Sequence, residues 1–355
     1  LSTQTLAALT SDAVIGFSSA DVSVFDSAAI QALGSKFSYL TDAALLGVQS
    51  ANASGLSASQ IQSLSSGQVA LLTSSALIGL NESAIVGFES QDIGTFDSTD
   101  IQALGVRINS LSSSAVAALN STQINALTTD QTADLSTAFL SHLSATAVAG
   151  FDATDIDRFD AQQIQALGPQ ISGLSNTAIQ GLSLSNVKDM NATQVSALSS
   201  TQFLHLSSAA LLGLSSAALA GVSTADINAA FDSSDLQALG TDLVGLSTSA
   251  IATINSSQAV GLSATQVHAL SADQVAKLSI TAWAGLSEEA MSGLETEDIG
   301  NLSSDQIAGM GLTLCALSTA AIQALNSSNA AGLTTAQLAG LDMSQLQALA
   351  SGTAT

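Results

Sequence analysis

Residues 263–278 read SATQVHALSADQVAKL, one eight-letter word written twice in succession. Each copy opens on Ser, carries Gln at its fourth place and Val at its fifth, and closes on Leu. The fifth and eighth places are apolar and three apart, so they share a helix face but would point to opposite faces of a strand. Strict alternation is absent, which disfavours a β-solenoid. One continuous helix also fails. Eight residues advance a helix by two turns plus roughly 80°, so the closing Leu positions would spiral around it. The chain must break and restart in every word.

The word carries its own restart signal. A Ser at the first place can accept a hydrogen bond from an orphan N–H of the first turn. Gln three residues later completes a capping box, as in Ser263…Gln266 and Ser271…Gln274. The preceding Leu and the following Val are the two partners of a hydrophobic staple. A helix this short does not persist alone, so it must be held by neighbours, each buried Leu or Ile contributing roughly 1.5–3 kcal/mol. The expected fold is therefore all-α, a solenoid of very short helices built from an octapeptide repeat.

Outward from this stretch the word recurs as DSAAIQAL (26–33), SASQIQSL (57–64), TSSALIGL (73–80), NSTQINAL (120–127), STAAIQAL (318–325) and TTAQLAGL (334–341). It phases continuously from Leu9 to Leu349, about forty-four copies, with Leu, Phe, Val, Ile or Met at every closing place. Ala or Gly at the seventh place suits a tight exit or a close backbone contact.

A longer period lies above the octad. Five units are one residue short and begin with Gly: GSKFSYL (34–40), GVRINSL (105–111), GPQISGL (168–174), GTDLVGL (240–246) and GLTLCAL (311–317). Their starts lie 71, 63, 72 and 71 residues apart. The chain thus reads as one continuous array, residues 1–355, with modules at approximately 1–33, 34–104, 105–167, 168–239, 240–310 and 311–349 and a tail at 350–355. Pro169 follows its Gly at the first helical position, where its missing N–H does no harm. Phe pairs at 17/25, 88/96 and 151/159 read as larger core plugs. Deleting one residue shifts the helical phase by about 100°, so a recurring deletion is expected to keep equivalent faces of the modules aligned.

Composition narrows the function classes. Only 9% of the 355 residues are charged, and 28 acidic against five basic residues give a net charge of −23. That argues against nucleic acid, whose phosphates call for clustered Lys and Arg, and favours solubility, mutual repulsion or cation binding. No run of about 20 apolar residues exists to span a membrane. A signal peptide is absent or already removed. Cys315 is the only cysteine, expected as a small core residue.

No Gly-x-Ser-x-Gly elbow or phosphate-binding Gly loop appears, and no residue set supplies nucleophile, base and orienter together. The expectation is a chain that is not an enzyme and needs no cofactor. His142, His205 and His268, 63 residues apart, sit within ordinary repeat words and read as tolerated variants. Asp21, Asp92, Asp155, Asp226 and Asp298 occupy one place in all five modules, and Asp26, Asp97, Asp160 and Asp232 the next cap in four. Capping explains them; a row of calcium-binding carboxylates at Asp21, Asp92, Asp155, Asp226 and Asp298 is the functional alternative. Asn-x-Ser/Thr acceptors stand at Asn52, Asn81, Asn120, Asn191, Asn255, Asn301 and Asn326. Asn120, Asn255 and Asn326 each lie fifteen residues after a module's Gly, which makes them the leading glycosylation candidates.

The words SADQVAKL, TTAQLAGL and STAAIQAL resemble the short Leu-Ser/Thr-x-x-Gln-Ile-x-Ala-Leu helical arrays of large secreted, adhesin-like bacterial surface proteins. The resemblance covers essentially the whole chain, although the Gly-initiated seven-residue units and recurrent Phe-Asp pairs depart from those arrays. It implies an extracellular or cell-surface location and an extended structural or adhesive role. The function expected is an extracellular filament, sheath or surface layer built by self-association, head-to-tail or laterally; the alternative is a stalk or ligand-binding segment of a large adhesin. Surface glycans and cations are the other partners envisaged, and membrane insertion is not expected.

Overall fold

A computed structural model describes residues 1–352. Among these residues every regular element is helical and no strand occurs. The chain falls into two compact units, Leu1–Gly181 and Leu182–Thr355, each a stack of short helices. The division lies inside the 168–239 module rather than at a module boundary.

Most helices are four to seven residues long, one per octad. Ala264–Ala269 and Ala272–Val275 are the two in the opening stretch. Ser263 and Ser271, with extended backbone, accept the N–H groups of Gln266 and Gln274 through their hydroxyls. In return the Gln Oε1 atoms accept the N–H groups of Ser263 (3.1 Å) and Ser271 (3.0 Å). Leu270 then returns to extended backbone, which ends the first helix, whereas the shorter second helix already ends at Ala276. The longest helix, Met343–Gly352, runs into the segment expected as a tail. Residues 353–355 lie outside the described residues.

The fifth and eighth places form the core. Ile30, Leu33, Ile101, Leu104, Ile164, Leu167, Leu236 and Leu239 are all at most 1% exposed. The paired Phe residues meet edge to face, with ring centroids 5.2, 5.1 and 5.2 Å apart for 17/25, 88/96 and 151/159. One octad of nine letters, residues 223–231, keeps this pattern by lengthening its helix to Thr224–Ala230, so that Phe231 still closes inward.

The seven-residue units are 3₁₀-helices: Gly34–Tyr39, Gly105–Ser110, Gly168–Gly173, Gly240–Gly245 and Gly311–Ala316. All five initial glycines have φ between 52° and 57°. Gly105 pairs φ 57° with ψ −148°, a conformation essentially closed to residues with a Cβ. The preceding helix thus runs directly into a new one without an extended break. The tighter 3₁₀ winding lets seven residues do the work of eight.

Side chains reach the preceding turn of the solenoid across 25 to 31 residues. The expected alignment of modules does not follow from this spacing. Asp21 and Asp92, in the same unit, are 71 residues apart, more than two such turns and fewer than three. They cannot stack on one face. The glycine units make a tight helix-to-helix joint rather than resetting the phase.

Candidate functional site

The dominant polar feature is a ladder of Gln side chains. Gln60 donates from Nε2 to the Ile30 carbonyl at 2.8 Å, and Gln123 to Ile93 and Phe96 at 2.7 and 3.0 Å. In the second unit Gln266 donates to Leu236 and Gly240, and Gln337 to Ile307 and Gly311. Each Gln therefore caps its own helix with one end of its amide and ties that helix to the preceding turn with the other. Asn52 and Asn329 repeat the link with a shorter side chain, to Val22 and Ile299. These amides are buried, and their polar atoms are satisfied on both sides.

Sequence reasoning found the cap and missed the second bond. The signal was present. Glu never occupies the fourth place anywhere in the repeat, although Glu serves a capping box equally well. Glu has no proton to donate to a carbonyl, and Gln does. Two of the five seven-residue units solve the same problem with cations. Lys36 donates to the carbonyls of Ala7 and Leu9, and Arg107 to those of Ile78 and Leu80. Two of the five basic residues are thus spent on holding turns together.

The carboxylates suggested as calcium ligands act as box partners. Asp21, Asp92, Asp155, Asp226 and Asp298 each accept the N–H of their helix's cap residue at 2.8–3.0 Å. Asp226 also accepts the Ser200 hydroxyl of the preceding turn at 2.7 Å. No three of His, Cys, Asp and Glu gather in a metal-binding arrangement among the described residues. Burial pushes the Asp92, Asp155 and Asp298 carboxyls above the ordinary carboxylate range. Asp21, which accepts the Ser18 hydroxyl at 2.6 Å, is held below it.

The seven glycosylation acceptors separate by environment. Asn52 is buried and fully hydrogen-bonded inside the stack, so it is no acceptor in the folded chain. Asn81 and Asn326 are exposed caps whose Nδ2 donates to the Ser54 and Gly300 carbonyls, and the Asn301 amide donates to Glu297. Asn120, Asn191 and Asn255 are exposed caps that use Oδ1 for the helix N–H. His142 and His205 turn Nδ1 toward the carbonyls of Ala138 and Thr201 on their own helices, while His268 faces Glu295 at 3.2 Å. The three are not brought together. Cys315 is half-buried, its Sγ 3.8 Å from the Gln337 carbonyl.

The grooves between stacked turns are shallow and polar. One of about 600 Å³ is lined by Asn228, Phe231, Asp232, Asn255, Ser256 and Thr281. None of these residues forms a nucleophile–base pair. No helix among the described residues is long and apolar enough to cross a membrane.

One family model recognises part of the chain. It is the ALTTAQ repeat, matched at residues 108–137. That stretch contains Ala126-Leu127-Thr128-Thr129-Asp130-Gln131: a closing Leu, a Thr cap and the bridging Gln. Its 30 residues correspond to one turn, the spacing over which Gln131 reaches back to Ile101. The match supports a repeat protein at the level of the unit. No curated protein matches the chain.

Proposed function

We propose that this chain is a structural element without catalytic activity, an extracellular solenoid that forms or extends a filament, sheath or surface layer by self-association. The observation that carries the reading is the Gln ladder. Wherever Gln stands at the fourth place, its amide is consumed in tying one turn to the one before it. A repeat that devotes its polar residues to its own continuity is suited to spanning distance. Stacked repeats of near-identical design can also meet end to end, and heterologous contacts that do not close yield filaments.

A stalk or ligand-facing segment of a large adhesin is the second reading. It is favoured by the grooves of hydroxyls and amides between turns, which suit the hydroxyl groups of surface glycans. Negative-stain microscopy with sedimentation over a concentration series separates the two. Polymers that lengthen with concentration support the first, and rods that stay monomeric at every concentration overturn it. Reproducible turnover abolished by one point substitution would overturn both.

A further inference from the structure

Three helices begin with a capping box made of two aspartates: Asp97–Asp100, Asp152–Asp155 and Asp232–Asp235. In each, Oδ1 of the first accepts the N–H of the second (3.0, 2.9 and 2.9 Å), and Oδ2 of the second accepts the N–H of the first (3.2, 3.0 and 3.0 Å). Serine boxes elsewhere in the array supply the comparison, two of them at the module place that Asp152–Asp155 holds. Ser18–Asp21 and Ser223–Asp226 form the same reciprocal box, and there the Ser hydroxyl also donates to the Asp oxygen at 2.6 Å. In the aspartate boxes a carboxylate oxygen takes the position of that hydroxyl, because it receives the same N–H. Ionised, it has no proton to give, and two carboxylates are held together, each on the other residue's backbone N–H.

We propose that each Asp-x-x-Asp box is a proton-binding joint: on mild acidification the two carboxyls share one proton, restore the bond the serine boxes have, and tighten the array. Asp160–Gln163 is the same box with a neutral second member, Gln163 both capping and reaching back to Leu135 at 2.8 Å. The first Asp of each box takes a second backbone N–H, from Thr99, Thr154 or Ser234 at 2.7 Å, so the second Asp bears more of the paired charge. Around Asp97–Asp100 the packed helices Ser74–Gly79, Gly105–Ser110 and Ser121–Asn125 contribute one charged group, Arg107, which is spent on backbone carbonyls; Ser74 lies 3.5 Å from Asp100. The helix of Asp152–Asp155 packs on Thr129–Ala133, which carries Asp130, and on Ala178–Gly181, which carries no charge, and itself holds Asp157 and Arg158, the latter favouring the ionised Asp155. The helix of Asp232–Asp235 packs on Gly240–Gly245, whose Asp242 accepts the Ser216 N–H, and on Ser208–Gly213 and Ser256–Ala259, which carry no charge.

Burial pushes the Asp100, Asp155 and Asp235 carboxyls above the usual range, and the neighbouring Asp adds to the shift. An acid whose folded pKa is raised stabilises the fold below its ordinary pKa and loses that contribution as pH rises through the raised value. The joint therefore tightens as pH falls from neutral toward the carboxylate range.

The test is thermal unfolding of the full chain at neutral pH and at about pH 4.5, for wild type, for D97S/D152S/D232S, and for D12N/D42N/D305N, which removes three exposed acids outside these boxes. Wild type is expected to gain several degrees on acidification, the serine variant to be more stable at neutral pH and to lose most of the gain, and the control to keep it. A wild type that is flat or less stable in acid overturns the proposal, as does a control that loses as much as the serine variant. Carbon-13 titration of the Asp carboxyls in wild type reads the same joint without any substitution: two separated steps per box support it, and a single step at the ordinary Asp value refutes it.

Discussion

Nε2 of Gln123 lies 2.7 Å from the carbonyl oxygen of Ile93, thirty residues earlier, while its Oε1 accepts the backbone N–H of Asn120 at 3.0 Å. One buried amide thus starts a helix and fastens it to the previous turn. Gln123→Glu keeps the acceptor and turns the donor into an anion aimed at two carbonyls, at a cost of roughly 3 kcal/mol. Gln123→Ala, the residue found at the fourth place of many other units, costs about 1–2 kcal/mol. Amide exchange of residues 93–125 should show the order Glu worse than Ala. Equal effects would mean that the bond to Ile93 contributes nothing.

Glycines at the seventh place lie against the preceding turn. A Cβ on Gly55 would stand 1.9 Å from the Ser27 carbonyl oxygen, whereas one on Gly300 would meet nothing within 4 Å. Gly55→Ala should destabilise by about 2 kcal/mol or more, and Gly300→Ala, at a helix end, should gain up to about 1 kcal/mol. Urea unfolding monitored by circular dichroism checks the sign of each.

Gly105 is required for its backbone rather than for space, since nothing approaches its missing Cβ. Gly105→Ala should cost about 1–3 kcal/mol through strain alone. Gly94→Ala, at negative φ, should be neutral or slightly stabilising. A melting comparison showing the two substitutions alike would remove the positive-φ joint as an explanation of the seven-residue unit.

Trp283 occupies a fifth place normally held by Ile or Val, is fully buried, and its indole N–H has no hydrogen-bond partner. Trp283→Phe removes that unsatisfied donor while keeping most of the volume, so its effect should stay within about 1 kcal/mol. Trp283→Ala should cost about 3–5 kcal/mol. A large loss for the Phe variant, measured by circular dichroism melting, would show that the indole nitrogen has a role in the folded chain.

The octad was legible because its chemistry is local. Ser263, Gln266, Val267 and Leu270 define cap, box and core within eight residues, and the structure places each accordingly. The 3₁₀ joints were visible only as a deletion, since Gly105 announces freedom of φ without saying which conformation uses it. The number of residues per turn was hidden. It depends on how Gly55 meets Ser27 and how Gln60 meets Ile30, distances no octad contains. That is why the supposed row from Asp21 to Asp92 looked like a face. Function was least legible, because the residues that recur are those that hold the stack together.

The fourth-place amides point one way along the chain, from a later turn to carbonyls already laid down, whereas Gln102, Asn109 and Asn125 at other places reach forward to Ala126, Asp134 and Gly150. A turn emerging during synthesis finds the partners of its fourth-place amides finished behind it. Folding can therefore follow the ribosome as a zipper with a moving end, each new stretch of about thirty residues docking on the last. Growth of such a chain by duplication adds length without slowing the docking step, because no contact in the ladder waits for a distant partner.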